Sequence, residues 1–136
     1  MTMDPDLPHQ VIAACLEVHR QLGPGWDREA YEECVMVELK QRELAFHRGE
    51  RVRFQYRGQL VETRTRLDLV VADALLLQVA AQEEVTELDL ARVESLLKLS
   101  GLKTALLVNF NVMVLRKGVH QVRLRRRSEP EAEHGN

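Results

Sequence analysis

Apolar and polar positions along this chain change period several times, and each change marks an expected element. Val11, Ala14, Cys15, Val18 and Leu22 recur at helical spacing, and Asp4 or Asp6, each beside a proline, can cap the helix they define. Gly23, Pro24 and Gly25 in LGPG then end it, since neither residue type continues a helix cheaply. Tyr31, Cys34, Val35 and Leu39 share one face of a second helix, expected from about Asp27 to Glu43.

The period then falls to two. Val52, Phe54 and Tyr56 alternate with Arg51, Arg53 and Gln55, and Arg57-Gly58 reads as a two-residue hairpin turn. That turn sets Phe54 opposite Val61, Arg53 opposite Glu62 and Arg51 opposite Arg64, giving one apolar face and one arginine-bearing face. The returning strand is expected to continue through Leu67, Leu69 and Val71 to a turn at Ala72-Asp73, with the next strand over 75–81. Thr86 with Asp89 makes a capping-box signature for a helix over 87–99, whose buried stripe is Leu90, Val93, Leu96 and Leu97. TALLVNF, 104–110, is apolar enough to be buried on both faces, and VMVL (112–115) and HQVRL (120–124) follow as short strands around Lys117-Gly118.

The expected order is α-α-β-β-β-α-β-β-β, an α/β fold with a mixed sheet of about five or six strands flanked by helices. The strands at 75–81 and 104–110 and the helix between them suit a right-handed βαβ crossover.

Composition narrows the functional classes only slightly. Hydrophobic residues make up 45% and charged residues 29% of 136, which suits one domain, expected over 1–127, with an acidic tail over 128–136 expected to be disordered. The net charge of -2 does not by itself demand a nucleic acid or an anionic membrane. No apolar run approaches the roughly 20 residues of a membrane span, and the start MTMDPDLPHQ does not read as a signal peptide, so a cytoplasmic location is expected. Cys15 and Cys34 lack metal-ligand spacing and are expected to be buried free thiols.

The stretches EVHRQLGPGWDREAYEECVMVELKQREL, RLDLVVAD and LLKLSGLKTALLVNFNV, in that order, resemble the small bacterial GxxExxY proteins of the PD-(D/E)XK nuclease-like superfamily. The resemblance covers roughly residues 8–124 and implies a restriction-endonuclease-like core. It also implies a chemistry: water activated on Mg²⁺ held by an Asp and a Glu, with a Lys two residues after the Glu on the same strand face.

Residue by residue, the resemblance puts the Asp at Asp68, with Arg66 beside it. The Glu falls at Gln78, which has the shape but not the charge, and the Lys falls at Ala80. The Glu of GxxExxY falls at Arg28, a reversal of charge, with Glu29 turned about 100 degrees away on the helix. The helical Gln and Tyr of relatives fall at Arg92 and Leu96. One carboxylate among arginines does not make a useful Mg²⁺ site, so no metal ligand set, no catalytic residue and no cofactor is expected.

The remaining features divide between chemistry and structure. Asp68 is expected to pair with Arg66 or another arginine, and Gln78 either lines an inherited polar cleft or satisfies backbone groups at a sheet end. His47 falls opposite Asp68 if the hairpin register extends that far. Glu83 and Glu84 offer the one way back to a metal site. Arg51, Arg53, Arg64, Arg66, Arg123 and Arg125 are candidate phosphate contacts or, equally simply, a solvated face and a basic chain end. The function expected is that of a pseudo-nuclease: a catalytically degenerate nuclease fold acting by binding a protein partner, a second copy of itself or a nucleic acid backbone. The alternative is a Mg²⁺-dependent nuclease with an unusual site centred on Asp68.

Overall fold

The computed structural model describes residues 3–124, so Arg125 and the expected tail lie outside the described residues. Two helices come first, α1 (Leu7–Leu22) and α2 (Arg28–Gln41). Asp6 stands at the N-cap of α1, but its side chain makes no cap bond there; its carboxylate accepts from Gln10 instead.

Five strands follow: β1 (Phe46–Arg48), β2 (Arg51–Tyr56), β3 (Gln59–Arg66), β4 (Leu69–Val71) and β5 (Leu75–Ala80). After them come α3 (Glu87–Ser100), β6 (Thr104–Asn109), a 3₁₀ turn at Leu115–Gly118 and β7 (Val119–Arg123). The main sheet has five strands in the order β1-β4-β5-β6-β7, with β5 and β6 parallel and the other neighbours antiparallel. The mixed sheet flanked by helices is therefore present, and α3 is the crossover between its parallel strands.

Three expectations about the order of elements change. The strand expected to run from the hairpin through Val71 is two strands in two different sheets, because the chain bends at Leu67-Asp68. Its partner β1, too short to stand out in the sequence, pairs with β4, and His47 faces Val70 rather than Asp68. VMVL is not a strand, since Val112 turns its carbonyl to the buried His19, whose Nε2 donates to it at 2.8 Å.

The β2–β3 hairpin stands off the main sheet. Gly49 makes the bend possible: a Cβ there would collide with the backbone and side chain of Leu67. The turn residues Arg57 and Gly58 have φ of 50° and 80°, as a two-residue hairpin turn requires. Phe54 pairs with Val61 and Arg53 with Glu62 as expected, but an irregularity in β3 moves Arg51 opposite Arg66 rather than Arg64.

Helices cover both faces of the sheet. Val11, Cys15 and Val18 of α1 and Tyr31, Val35 and Leu39 of α2 pack with Leu69, Val71, Leu75, Leu77, Leu106 and Val108 on one face. On the other, Val93, Leu96 and Leu97 of α3 and Val52 of the hairpin close over Leu76, Ala80, Ala105 and Leu107. The alternation along β5 and β6 thus serves both layers, which is why these strands read as continuous apolar runs. Thr86 and Asp89 form both bonds of the expected capping box. Cys15 is buried as expected, and burial pushes its thiol up to about 12; Cys34 is only half-buried. Among the described residues no helix is long and apolar enough to cross a membrane.

Candidate functional site

The bend at Leu67-Asp68 brings Asp68 to the start of β4, beside Gln78 in the middle of β5. The backbone N–H of Asp68 donates to Gln78 Oε1 at 2.7 Å, and the N–H of Val79 donates to Asp68 Oδ2 at 2.8 Å. Of the two readings of Gln78, the contact made is the one with backbone, at a sheet position where the ladder itself has stopped. Ala80, two residues on, packs its methyl into the apolar layer under α3.

The cation beside Asp68 comes from α2. Arg28 Nη2 lies 3.0 Å from Asp68 Oδ2 and 3.3 Å from Glu32 Oε1, while Nε donates to Val79 O at 2.9 Å. Nη2 is buried; it holds Asp68 by charge and by a side-chain hydrogen bond, and Glu32 by charge. Glu29 is turned outward, 3.7 Å from Arg28 Nη1. The side chains of Arg28, Asp68 and Glu32 keep 32%, 16% and 10% of their exposure, so the cluster is poorly hydrated.

The titration shifts follow from that environment. Burial pushes the Asp68 carboxyl above its ordinary value, and the Val79 N–H, then Arg28, then the more distant Arg66 oppose the push. Burial also works against the charge on Arg28, but Asp68 and Glu32 outweigh it and hold that guanidinium protonated more firmly than an ordinary arginine.

The other candidate positions lie apart from this cluster. Arg92 is 61% exposed and its Nη1 sits 3.3 Å from Asp89 on its own helix. Leu96 is a core residue under the hairpin. His47 Nε2 lies 3.5 Å from Asp73, and Glu83 and Glu84 are exposed. Arg51, Arg53, Arg64 and Arg66 all lie exposed on the hairpin, whereas Arg123 is on the outer strand β7 opposite Thr104.

One residue of the site, Glu32, was not singled out in the sequence. Glu32 is four residues after Arg28, a helical ion-pair spacing that carries the signal. Tyr31, expected on the buried face of α2 and matching the tyrosine that follows GPG in the family resemblance, clamps the loop before α2. Its hydroxyl donates to Gly23 O at 2.6 Å and accepts the N–H of Trp26 at 3.2 Å, and its ring stacks on Phe110 at 4.6 Å. The tyrosine of the GPG…Tyr pattern thus holds backbone, which ties α2 and its Arg28 in place.

Mg²⁺ wants near-octahedral oxygen ligands at about 2.1 Å with carboxylate charge among them. Around Asp68 the second strand offers an amide oxygen already engaged by a backbone N–H, and a guanidinium stands where a cation would be drawn. Among the described residues no group of three or more His, Cys, Asp and Glu side chains could hold a metal ion. The donor set does not fit Mg²⁺.

Curated proteins and solved structures give no match to this chain. A family model described as the PD-(D/E)XK nuclease superfamily matches residues 5–122, nearly the whole length, and the mixed sheet flanked by helices is compatible with it, so the chain belongs to the PD-(D/E)XK nuclease superfamily.

Proposed function

We propose that this chain is a catalytically silent nuclease-fold domain that works by binding, and that its ligand is a nucleic acid backbone. The observation that carries the first half is the Arg28 guanidinium 3.0 Å from Asp68, with Gln78 and Ala80 in place of a charged pair on β5. A phosphodiester approaching Asp68 meets no second carboxylate from β5 and no lysine from that strand, so neither a hydroxide nor a leaving oxygen is stabilised there.

Charge distribution supports the second half. Residues 51–66 hold five arginines and one glutamate, whereas the whole chain carries a net charge of -2. The positive charge is therefore gathered on the exposed hairpin. Arg51 and Arg66 are directly opposite each other, an arrangement that costs stability in the free protein and is relieved by a shared anion. Arg53 is loosely paired with Glu62 at 3.8 Å, which sets the edge of the patch. Phe54 and Tyr56 alternate with Arg51 and Arg53 and so fall on the other strand face, and the exposed Tyr56 ring already lies 5.8 Å from the Arg57 guanidinium, so phosphate contact is the mode that the arginine face fits.

The test is incubation with labelled single- and double-stranded DNA and RNA in Mg²⁺ or Mn²⁺, with binding followed across a salt series. Binding that weakens steeply with salt, without cleavage, is the expected result. Metal-dependent cleavage lost in Asp68→Ala would instead establish the unusual Mg²⁺ nuclease. Absence of any nucleic acid binding would return the partner to a protein or a second copy, to be sought by pull-down and by measuring the mass in solution.

A further inference from the structure

We propose that the cleft between the foot of the β2–β3 hairpin and the last turn of α3 receives one unpaired base of a nucleic acid strand, and that it favours a base bearing an exocyclic amino group. The proposal deepens the backbone-binding reading and rests on it for the strand that delivers the base.

The cleft opens where Gly49 lets the hairpin bend away from the main sheet. Its volume is about 400 Å³, within the roughly 300–1,000 Å³ that small-ligand sites occupy. Leu67 and Val70, near the bend, and Leu99 and Leu102, at the end of α3, give it apolar walls. Leu99 is 46% exposed, so an apolar surface is left bare at the cleft. A free phosphate has no use for such walls, and an apolar peptide has none for the arginines beside them. A nucleotide uses both.

Arg51 and Arg53 line this cleft and also a smaller depression of about 220 Å³ that reaches Glu62 and Thr63 on the hairpin. A backbone held by these arginines therefore runs beside the cleft, and a base turned away from it enters. Glu50 and Asp73 line the same cleft, and both are exposed; Asp73 Oδ1 lies 3.5 Å from His47 Nε2. Carboxylates accept N–H donors and repel carbonyl oxygens. Cytosine and adenine present an amino group where uracil and thymine present a carbonyl. In a duplex those groups are already paired, so the base comes from a single strand.

Oligocytidine and oligouridine of about ten residues isolate the amino group, because the two bases match in size. Wild type is expected to bind the cytidine oligomer about fivefold more tightly, the ratio that one net hydrogen bond supplies. Glu50→Gln/Asp73→Asn changes two exposed side chains and leaves position 73 a residue that tolerates its φ of 53°. It is expected to erase the preference; the ratio, not the overall affinity, is the readout. Leu99→Ser is expected to weaken both oligomers. Equal binding of the two oligomers by wild type overturns the proposal, as does a preference that survives the double variant. If neither oligomer binds, the backbone-binding reading fails, and the cleft is decided by itself from amide shifts in NMR. Cytidine monophosphate is expected to move Leu99, Ser100 and Leu102 more than uridine monophosphate or inorganic phosphate does. No shift there, or equal shifts with all three, overturns the proposal whether or not a strand binds.

Discussion

Gln78 Oε1 accepts the backbone N–H of Asp68 at 2.7 Å, and that bond joins the two positions at which the sequence resemblance expects strand carboxylates. A glutamate could accept the same N–H. It would also bring a second negative charge beside Asp68, in a place where the Val79 N–H, Arg28 and the more distant Arg66 offset the first. The neutral amide keeps the backbone bond and avoids the repulsion.

Gln78→Glu is accordingly expected to leave the chain without cleavage activity, since Ala80 and Arg28 are unchanged. It should destabilise the fold at neutral pH by about 1–2 kcal/mol, with the loss shrinking as the pH falls and one of the paired carboxyls takes a proton. Urea unfolding of both proteins at pH 7 and pH 5 measures this. An equal deficit at both values would exclude charge repulsion as its cause.

Arg28→Met removes the offsetting cation and leaves Asp68 under its burial penalty. A fully buried pair broken on one side loses 3–5 kcal/mol, and with Arg28 about a third exposed the expected cost is about 2 kcal/mol at pH 7. The folded Asp68 already titrates above its ordinary value, and the variant should raise it further. A group raised in the folded state binds its proton there first. The deficit should therefore diminish as the pH falls through the folded value toward the ordinary one. Carboxyl chemical shifts followed by NMR give the two titrations directly.

Tyr31→Phe tests whether the tyrosine in the first turn of α2 serves the loop before it. The ring stack on Phe110 survives, but Gly23 O loses its donor and the Trp26 N–H its acceptor. A loss of about 1–2 kcal/mol is expected, with faster amide exchange at Trp26 as the local signature.

Arg51→Gln/Arg66→Gln separates binding from folding. Removing two like charges that face each other should leave stability unchanged or slightly raised. If each contacts a phosphate, the slope of log K against log salt should become shallower by about 2 units. A slope that stays the same would move the interface off the hairpin.

The α3 cap supplies an acid-sensitive element unconnected with the site. The Thr86 N–H bonded to Asp89, ahead of the Thr86 hydroxyl, Gln82 and Arg92, holds the Asp89 carboxyl below its ordinary value. That contribution is complete above the unfolded value near 3.9 and is lost as the pH falls through the depressed one. Thr86→Ala should cost about 1 kcal/mol at neutral pH, read from the denaturation midpoint.

Much of this protein is legible in its apolar pattern. Periodicity located α1, α2, α3, β5 and β6 to within a few residues, because each presents a face that water excludes over several turns or pleats. The hairpin turn at Arg57-Gly58 and the Thr86–Asp89 cap are local, set by residues two or three apart. Gln78, Ala80 and Arg28 stood out as well, as positions where the resemblance expects other charges.

Tertiary structure decided the rest, because it depends on contacts between residues far apart in the chain. β1 has three residues, too few for a period, and exists because β4 offers it an edge. The break at Leu67-Asp68, which splits one apparent strand into two sheets, follows from the crossing of Gly49 and Leu67. Most consequentially, the resemblance set Arg28 where an acid is expected but did not say where its charge would go. Only the packing of α2 against the end of β5, fifty-one positions along the chain from Arg28 to Val79, sets that guanidinium on Asp68.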